Sequence, residues 1–429
     1  MEFQLPYYKG TLPLRVPDEN LKHVLVNHAD RFRSGRGQAD IVREALKAPI
    51  GTPPLSELAR GKRRILVITS DHTRNMPSKI TLPLLLEEIR RGQPDAGITI
   101  LIGTGLHRPT TRDEMLERFG PEIVERETIV VHDAFRAEEM RYVCRLPSGA
   151  ELSVNRLALE SDLIVAEGFI EPHFFAGFSG GRKSILPAIC SKETVNENHS
   201  ARAISHPNAV TGILEGNPIH EDMACAARRV GLAFILNVAM DAEKRIVAAF
   251  AGDCIEAHAR GCAFVSDMCG VGRVQSDIVI TTNGGYPLDQ NLYQTPKGVS
   301  AAAACAAEGG VLILGASLCD GIGGTNFEKL MRLGSPQAIK KTIEAIPPRE
   351  SIPEQWCAQI YAELMLRHPI IIVTQHMDLR ELEHMGFLAA RSFDEALSTA
   401  FRLRGGSASV TVIPDGVSVI VRKQEEEPA

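Results

Sequence analysis

Short apolar runs recur along this chain, and each is bounded by Gly, Ser, Asp or Asn. Within a run the apolar residues are continuous rather than alternating with polar ones, which is typical of strands covered on both faces of a parallel sheet. The pattern therefore predicts largely parallel sheets. The runs are RILVITSD, ITILIGTG, TIVVHD, DLIVAEG, DIVITTNGG, GVLILGA and PIIIVTQ.

Helical segments separate these runs. LPLLLEEIRRG has apolar residues toward one face and closes with Arg90, Arg91 and Gly92, which form a helix stop signal. NPIHEDMACAARRVG begins with Asn217 as an N-cap and Pro218 at the first helical position. Because strands and helices alternate, the sequence predicts an α/β fold.

The chain is long enough for more than one domain, since 429 residues predict about two or three domains of roughly 150 residues. The strand–helix pattern restarts in the stretch CGVGRV, so we predict an N-terminal α/β domain over 1–270 and a C-terminal α/β domain over 271–405. The run SASVTVIPDGVSVIVRK predicts a hairpin around a Pro-Asp-Gly turn. The pattern does not decide which domain residues 406–429 join, and they could pack back onto the N-terminal domain. The final EEEPA is expected to fray.

Composition narrows the class of protein. Apolar residues make up 44% and charged residues 23% of the chain, which is the profile of a globular protein. A net charge of −6 with no long basic run argues against a nucleic-acid partner. No apolar run approaches the roughly 20 residues of a membrane span, and the start MEFQLPYYKG has no signal-peptide pattern. The nine cysteines form no CxxC pair and are expected to be reduced, buried thiols, so we expect a cytoplasmic protein.

Histidines and cations follow several of the predicted strands. Ligands bind outside the carboxyl ends of parallel strands, so these groups are expected to converge on one polar, anion-binding cleft. Two simpler readings stay open: SDHTR as a helix N-cap with a solvated arginine, and His107 as a hydrogen-bonded structural histidine. His220 and His258, like the other scattered histidines, have no recognisable partners in the sequence. The groups that follow strands are SDHTR (70–74), His107 and Arg108, His173 with Arg182 and Lys183, and Tyr293, Gln294 and Lys297.

The stretch GFSGGRKS resembles a phosphate-binding P-loop but has the wrong spacing. A P-loop needs four residues between its glycines and a Gly directly before Lys-Ser/Thr. Here Gly177 and Gly181 bracket three residues, and Arg182 stands before Lys183. A nucleotide-dependent phosphotransferase is therefore disfavoured, although small residues still let a bulky ligand lie close to the backbone.

Five segments in this order resemble the nickel-dependent lactate racemase family, and the resemblance extends over nearly the whole chain. Each segment alone is weakly specific, whereas the ordered set is highly specific. They are SDHTRNMP (70–77), GTGLHRPT (103–110), EPHFFAGFSGGRKSILPAI (171–189), Asn198-His199 and LYQTPKG (292–298).

The resemblance implies a two-domain α/β enzyme with its site in the interdomain cleft and a nickel-pincer nucleotide as cofactor. This cofactor is the pyridinium-3-thioamide-5-thiocarboxylic acid mononucleotide, and the resemblance implies its covalent attachment to Lys183. His199 matches the family's nickel ligand, and imidazole is a suitable donor for Ni²⁺. The remaining cofactor-binding residues implied are Asp71, Thr73, Tyr293 and Gln294.

The same resemblance implies racemisation or epimerisation of 2-hydroxy acids by removal and return of hydride. Arg74 and Lys297 would bind the substrate carboxylate through charge-assisted hydrogen bonds. His107 and His173 match the two catalytic acid/base groups, and histidine titrates in the neutral range that this role requires. Lactate, larger hydroxy acids, sugar acids and diacids all stay open as substrates. Arg108 could bind a second carboxylate or cap a helix.

Partners and alternatives follow from this reading. The chain shows no means of making the cofactor, so cofactor-biosynthesis enzymes are expected partners, and a homo-oligomer is possible. The main alternative is a non-catalytic protein of the same fold that carries nickel or the nucleotide cofactor. The presence of both His107 and His173 argues against a carrier, because a carrier needs neither acid/base group.

Overall fold

The structure is a computed structural model and describes residues 1–33 and 35–422. Two six-stranded sheets with flanking helices form the scaffold, which confirms the predicted α/β class with largely parallel sheets. In chain order the strands are β1 Glu2–Tyr7, β2 Gly10–Arg15, β3 Leu21–Val24, β4 Arg64–Ser70, β5 Gly97–Gly103, β6 Thr128–Val131, β7 Met140–Arg145, β8 Glu151–Asn155, β9 Leu163–Phe169, β10 Pro172–His173, β11 Gly177–Phe178, β12 Leu232–Met240, β13 Ile246–Gly252, β14 Gly270–Gly272, β15 Ser276–Thr282, β16 Ala306–Gly315, β17 Ile370–Val373, β18 Leu388–Ala390, β19 Val410–Ile413 and β20 Ile420–Arg422.

The helices lie mostly between strands, as the alternating pattern predicts. They are α1 Gln38–Lys47, α2 Leu55–Leu58, α3 Ser78–Gly92, α4 Arg112–Phe119, α5 Pro121–Arg126, α6 Arg156–Glu160, α7 Lys192–Asn198, α8 Ala201–Ile204, α9 Pro218–Val230, α10 Glu256–Cys269, α11 Pro296–Ala304, α12 Thr325–Met331, α13 Pro336–Glu344, α14 Gln355–Met365, α15 Leu379–His384 and α16 Phe393–Arg404. Short 3₁₀ turns span Ala29–Phe32, Ala137–Glu139, Gly181–Ser184, Leu292–Gln294 and Pro348–Glu350.

The first sheet has the order β13-β12-β9-β4-β5-β6, and its strands are parallel except for β13. Leu66 and Ile68 of β4 join one buried cluster, while Ile65 and Val67 join the cluster on the opposite face. Both faces of the strand are thus covered, which is the physical reason for the continuous apolar run in the sequence.

The second sheet has the order β18-β17-β16-β15-β19-β3 and is parallel throughout. Its two faces are also covered, because Val279 joins one apolar cluster while Ile278 and Ile280 join another. Four further two-stranded pairs, β1-β2, β7-β8, β10-β11 and β14-β20, extend this scaffold.

The helix boundaries follow the sequence signals. The Asn217 side chain accepts hydrogen bonds from the backbone N–H groups of Ile219 and His220 and caps α9. The same helix ends at Gly231, which has φ 83° and ψ 39°, a left-handed conformation that favours glycine. The helix predicted over LPLLLEEIRRG is α3, and it ends at Gly92.

The predicted division at residues 270–272 needs correction at the N-terminus. Strand β3 pairs with β19 at the edge of the second sheet, although residues 1–270 are predicted to form the first domain. Leu5 and Leu14 of the β1-β2 ribbon are buried with Ile278 and Ile280 of the second sheet. Long-range burial of these apolar side chains decides the location, and a local sequence pattern carries no signal for it.

The predicted hairpin near the C-terminus is wrong. Strand β19 lies in parallel between β15 and β3, and β20 pairs in parallel with β14 instead of with β19. Of the segment 406–429, β19 belongs to the second sheet, whereas Ile420 of β20 packs in a cluster with Ile170 and Phe178. The frayed tail predicted for EEEPA lies outside the described residues.

Candidate active site

Three of the predicted site segments follow neighbouring strands of the first sheet. Asp71 follows β4, His107 follows β5 and His173 follows β9, and the order β9-β4-β5 makes these strands adjacent. Tyr293, Gln294 and Lys297 follow β15, the strand at the centre of the second sheet. The carboxyl ends of parallel strands thus supply the candidate site, as expected for open α/β sheets.

Asp71 holds His107. The Asp71 carboxylate accepts a hydrogen bond from His107 Nδ1 at 2.6 Å and a second from the Thr73 hydroxyl at 2.6 Å. Burial alone would raise the pKa of Asp71, but the hydrogen bond and charge of His107 outweigh it, together with Thr73 and Arg74, and lower it to about 2. An ionised Asp71 therefore directs the Nδ1–H of His107 and leaves Nε2 as the proton acceptor. The alternative reading of SDHTR as a helix cap does not apply, because α3 begins only at Ser78.

His173 lies against Lys183. Its Nε2 is 3.1 Å from Lys183 Nζ, and its Nδ1 accepts a hydrogen bond from the Ala176 backbone N–H at 3.3 Å. The imidazole stacks on Phe174 with ring centroids 5.1 Å apart and meets the edge of Phe175 at 4.5 Å. Burial and the positive charges of Lys183, Lys297 and Arg74 lower the pKa of His173, so the ring is neutral.

Cations accumulate in the same cleft. Lys297 donates a hydrogen bond to the Gln294 side-chain carbonyl at 2.9 Å. Burial, followed by the charge of Arg74, lowers the pKa of Lys297, and the charge of Glu171 opposes this. Among the described residues, no carboxylate forms an ion pair with Arg74, Lys183 or Lys297. The cleft therefore has an excess of positive charge that suits an anionic ligand.

His199 presents an imidazole without a hydrogen-bond partner for Nδ1, although that atom is buried. The ring meets Phe175 edge-on at 5.1 Å and Trp356 at 5.2 Å, so apolar contacts fix its plane. Burial, followed by the charge of Lys183, lowers the pKa of His199 to about 3. A neutral imidazole with an unpaired nitrogen is able to bind a metal ion.

Burial raises the pKa of Tyr293, while the charge of Arg74 lowers it. Tyr293 follows a strand of the second sheet and Arg74 follows a strand of the first, so the two side chains are within electrostatic range of each other. Since Arg74 and Lys297 also act on His173 and Lys183, groups predicted from both halves of the sequence lie within electrostatic range of one another. Among residues 1–33 and 35–422 there is no group of three or more His, Cys, Asp or Glu side chains that could hold a metal ion. A metal at His199 would therefore need donors from a ligand as well.

Arg182 was expected only as a member of the glycine-rich stretch, but its guanidinium is fully buried and highly organised. It donates to His220 Nδ1 at 3.0 Å, lies 2.9 Å from His258 Nε2, and also donates to backbone carbonyls, including that of Ala176 at 2.8 Å. Within residues 1–33 and 35–422, no carboxylate is among the partners of this side chain. His220 and His258 thus converge on the loop of Lys183, a convergence that their separation in sequence conceals.

Two more buried groups support the site without a local sequence signal. The Arg118 guanidinium donates to the backbone carbonyl of Arg74, while its Nε and Nη2 have no partner. Glu167 of β9 is buried and accepts hydrogen bonds from three hydroxyls, those of Thr69, Ser78 and Thr81. These contacts fix the segment that carries Asp71 and Arg74 against the sheet.

Arg108 lies at the exposed edge and pairs with a helix terminus. Its guanidinium donates to both carboxylate oxygens of Glu114, at 3.0 and 2.5 Å. Glu114 also completes a capping box with Thr111 at the start of α4. The position favours the helix-cap role over recognition of a substrate carboxylate.

Two family models match the chain. One, described as lactate racemase N-terminal domain, matches residues 7–212, and the other, described as lactate racemase C-terminal domain, matches residues 271–421. A lactate racemase of Thermoanaerobacterium thermosaccharolyticum is 48% identical over 422 residues, covering 98% of this chain and 99% of that protein. A lactate racemase of Lactiplantibacillus plantarum is 45% identical over 419 residues, covering 97% and 99%.

Solved structures agree with these matches. The structure of the lactate racemase apoprotein from Thermoanaerobacterium thermosaccharolyticum has a TM-score of 0.95 at 48% identity and covers 99% of this chain and 100% of that one. A Thermotoga maritima protein has a TM-score of 0.64 at 18% identity, with coverage of 90% and 98%. At that identity the second likeness concerns the fold alone. In the described part of the chain no helix is both long and apolar enough to cross a membrane.

Proposed function

Because this chain belongs to the lactate racemase family, we propose that it interconverts the two enantiomers of lactate or a closely related 2-hydroxy acid. The observation that carries this proposal is the cluster in which the cations Arg74 and Lys297 act on the half-buried His173, while Arg74 also acts on Asp71, the partner of the exposed His107. A 2-hydroxy acid offers a carboxylate for the cations and a hydroxyl proton for a histidine.

The proposed cofactor is a nickel-pincer nucleotide, and the residues fit it. Lys183 offers a buried amine for a covalent link, His199 offers a ring nitrogen without a partner, and the described residues provide no complete metal site of their own. Nitrogen and sulfur donors suit Ni²⁺, so His199 would complete a donor set that the cofactor brings. When bound, this cofactor supplies the acceptor for the α-hydrogen of the substrate, which leaves as hydride.

The chain's own residues would bind the substrate and move its proton. Arg74 and Lys297 hold the carboxylate, and Gln294 orients Lys297 through its hydrogen bond. His107 Nε2 takes the hydroxyl proton from one enantiomer, because Asp71 occupies the Nδ1–H. His173 would do the same for the other enantiomer after cofactor attachment, when the Lys183 amine that accepts from its Nε2 has become a thioamide N–H that can only donate. Each histidine returns a proton when the reaction runs in reverse.

Asp71, Thr73 and Tyr293 are proposed to bind the nucleotide part of the cofactor. Asp71 and Thr73 offer two oxygen atoms next to the His107 ring, and the buried Tyr293 phenol lies across the cleft. Enzymes that synthesise the cofactor are the proposed partners.

Substrates with one carboxylate are favoured. The cation that a diacid would need beyond Arg74 and Lys297 would most simply be Arg108, but Glu114 already neutralises that guanidinium. The proposal is therefore lactate or another monocarboxylic hydroxy acid rather than a diacid.

The test is production of the chain together with cofactor-synthesising enzymes, followed by intact mass, nickel analysis and chiral assays on a panel of hydroxy acids. We expect a mass increment that maps to Lys183, about one nickel per chain and racemisation of lactate. The Lys183→Arg variant keeps a long basic side chain but has no primary amine, so it should lose the increment and the activity. A loaded chain that inverts no hydroxy acid would instead indicate a carrier of the cofactor.

A further inference from the structure

The hydrogen bonds of His173 define where its proton lies. Nδ1 accepts from the Ala176 backbone N–H, so this nitrogen carries the lone pair. In a neutral imidazole the proton is then on Nε2, the atom that faces Lys183 Nζ at 3.1 Å. The Nε2–H donates to Lys183, and only a neutral amine has a lone pair to accept it.

The charges around Lys183 favour the same state. Burial, followed by the cations Arg182 and Arg74, lowers the pKa of Lys183, and Lys297 adds to this. Glu171 acts in the opposite direction, but it forms no ion pair with the amine. His173 and His199, the other titratable groups facing Lys183, are both neutral.

Arg182 is fixed next to this amine. It donates to His220 Nδ1 and to backbone carbonyls, including those of Ser179 and Gly180 at 3.4 and 3.3 Å, and it lies 2.9 Å from His258 Nε2. A buried cation without a carboxylate is costly, and here it stabilises the loop that presents the next residue, Lys183. It therefore orders the loop and disfavours a second positive charge one residue away.

We propose that the chain, before any cofactor is attached, holds Lys183 as a neutral and nucleophilic amine, with His173 and Arg182 as the positioning residues that maintain this state. His173 thus has a function that precedes its role in racemisation. The inference deepens the proposed function and rests on it for the identity of the electrophile, a thiocarboxylic acid on the cofactor.

The attachment step balances without an oxidant or reductant. The Lys183 lone pair forms a C–N bond to the thiocarboxylic acid carbon, and the oxygen of that group leaves. The departing water takes one amine hydrogen and the hydrogen of the acid, while sulfur remains as the C=S of the thioamide. An ammonium group has no lone pair and cannot begin this step.

The test is competitive labelling of the unmodified chain with trace acetic anhydride over a range of pH, with each lysine quantified by peptide mass spectrometry. Exposed Lys79 at the start of α3 is the internal control. For each lysine, the labelling rate at pH 7 is divided by the limiting rate of the same lysine at high pH. We expect this fraction to be at least about tenfold higher for Lys183 than for Lys79. A profile like that of Lys79, or no labelling at any pH, overturns the proposal.

Two matched variants separate the role of His173 from the general effect of a His→Asn substitution. His173→Asn should remove most of the advantage of Lys183 at pH 7 and slow the appearance of the cofactor mass increment during co-production. His206→Asn should leave labelling and attachment unchanged, since His206 is exposed and its Nδ1 accepts a hydrogen bond from the Asn208 backbone N–H. Equal labelling of Lys183 in the two variants would contradict the proposal. If either variant fails to fold, the pH profile of Lys183 labelling in the unsubstituted chain decides the question.

The outcomes also distinguish this inference from the proposed function. If Lys183 reacts at pH 7 but the co-produced chain never gains mass, the amine is activated and the proposed cofactor is wrong. If the chain gains the cofactor but Lys183 labels like Lys79, the proposed function holds and the inference fails.

Discussion

The two histidines of the cleft have unequal surroundings. His107 faces the Asp71 carboxylate at 2.6 Å, whereas His173 faces an amine and a backbone N–H. The Asp71 carboxylate fixes the tautomer of His107, whereas among the described residues no carboxylate contacts the His173 ring. In a racemase the equilibrium constant is one, and kcat/KM must be equal for the two enantiomers at every pH. The different surroundings of His107 and His173 can therefore make kcat and KM differ between the two enantiomers, but only in the same proportion.

Asp71→Asn should lower kcat/KM by about 10²–10⁴-fold, equally for both enantiomers. The amide can no longer stabilise a protonated His107, and it can hold the wrong tautomer. Stopped assays from each enantiomer, with intact mass to verify that the cofactor is retained, measure the effect. Asp162→Asn, which removes a carboxylate just before the amino end of β9, is the control and should leave kcat/KM unchanged. An unchanged kcat/KM in the loaded Asp71→Asn chain would contradict the proposed role of Asp71, and correction for the loaded fraction matters because an unloaded fraction lowers the apparent value equally for both enantiomers.

The pH dependence of folding at this pair has a defined sign. The pKa of Asp71 is lowered from 3.8 to about 2, so its interactions stabilise the fold at any pH above the ordinary carboxyl range. This stabilisation is lost as the pH falls toward 2. In neutral assays Asp71 stays ionised, and the limbs of an activity profile must come from other groups.

At the scale of elements, the loop of residues 176–184 depends on glycine conformation. Gly177 has φ +76°, and a Cβ at this position would lie 2.3 Å from the backbone carbonyl oxygen of Ile213. Gly231, at the end of α9, has φ +83° but nothing within 4 Å of such a Cβ. The two positions therefore separate backbone strain from steric conflict.

Gly231→Ala should cost about 1–2 kcal/mol of unfolding free energy through strain alone. Gly177→Ala should cost at least about 1 kcal/mol more, because the Ile213 backbone must also move. Urea titrations followed by circular dichroism measure both, and intact mass after co-production shows whether Lys183 still acquires the cofactor. Equal costs would mean that the loop shifts freely, and the proposed ordering by Arg182 would then be wrong.

Local sequence signals predicted the strands that are buried on both faces and the helices that have an N-cap. A continuous apolar run and a capping residue can both be recognised from neighbouring residues in the sequence. β4, β5, β9 and the helix after Asn217 illustrate this. The sequence did not predict β12, Leu232–Met240, as a strand, nor the edge position of β3, because their partners lie far away in the chain. The β-branched alternation around Pro414 is the same in a hairpin and in two strands that pair elsewhere, so only the tertiary partners decide.

The site was predicted through motif resemblance rather than through spacing. The resemblance assigned roles to His107, His173, Lys183 and His199, and these roles stay predictions. The structure places His173 against Lys183 and His107 against Asp71. Arg118 and Glu167 were missed since neither lies next to a motif residue in sequence, and their contacts with Arg74 and the β4 segment exist only in the folded chain.

At the scale of the whole molecule, α14 of the second half of the chain packs against the segment that carries His199. Trp356 lies against the apolar clusters of both halves, and Gln359 donates to the Ala201 carbonyl at 2.9 Å and to the Ser205 hydroxyl at 2.6 Å. The orientation of the proposed metal ligand therefore depends on contacts between the two halves.

Trp356 is the chain's only tryptophan, so its fluorescence reports on this contact directly. Its ring centroid is 5.2 Å from that of His199. If the proposed cofactor is held at His199, its pyridinium would be an electron-poor acceptor near the indole and should quench the emission strongly. We expect the loaded chain to emit much less than the unmodified one.

The matched control is His199→Leu, produced with the cofactor enzymes. Leucine replaces a buried ring whose Nδ1 is unpaired, so the fold should lose no more than about 1–2 kcal/mol. If this variant still acquires the mass increment at Lys183 but not nickel, the emission separates two causes. Recovery of the emission would assign the quenching to the metal at His199, and persistent quenching would assign it to the tethered pyridinium. Equal emission from loaded and unmodified wild-type chain would mean that the cofactor lies away from Trp356, and His199 would then not be its ligand.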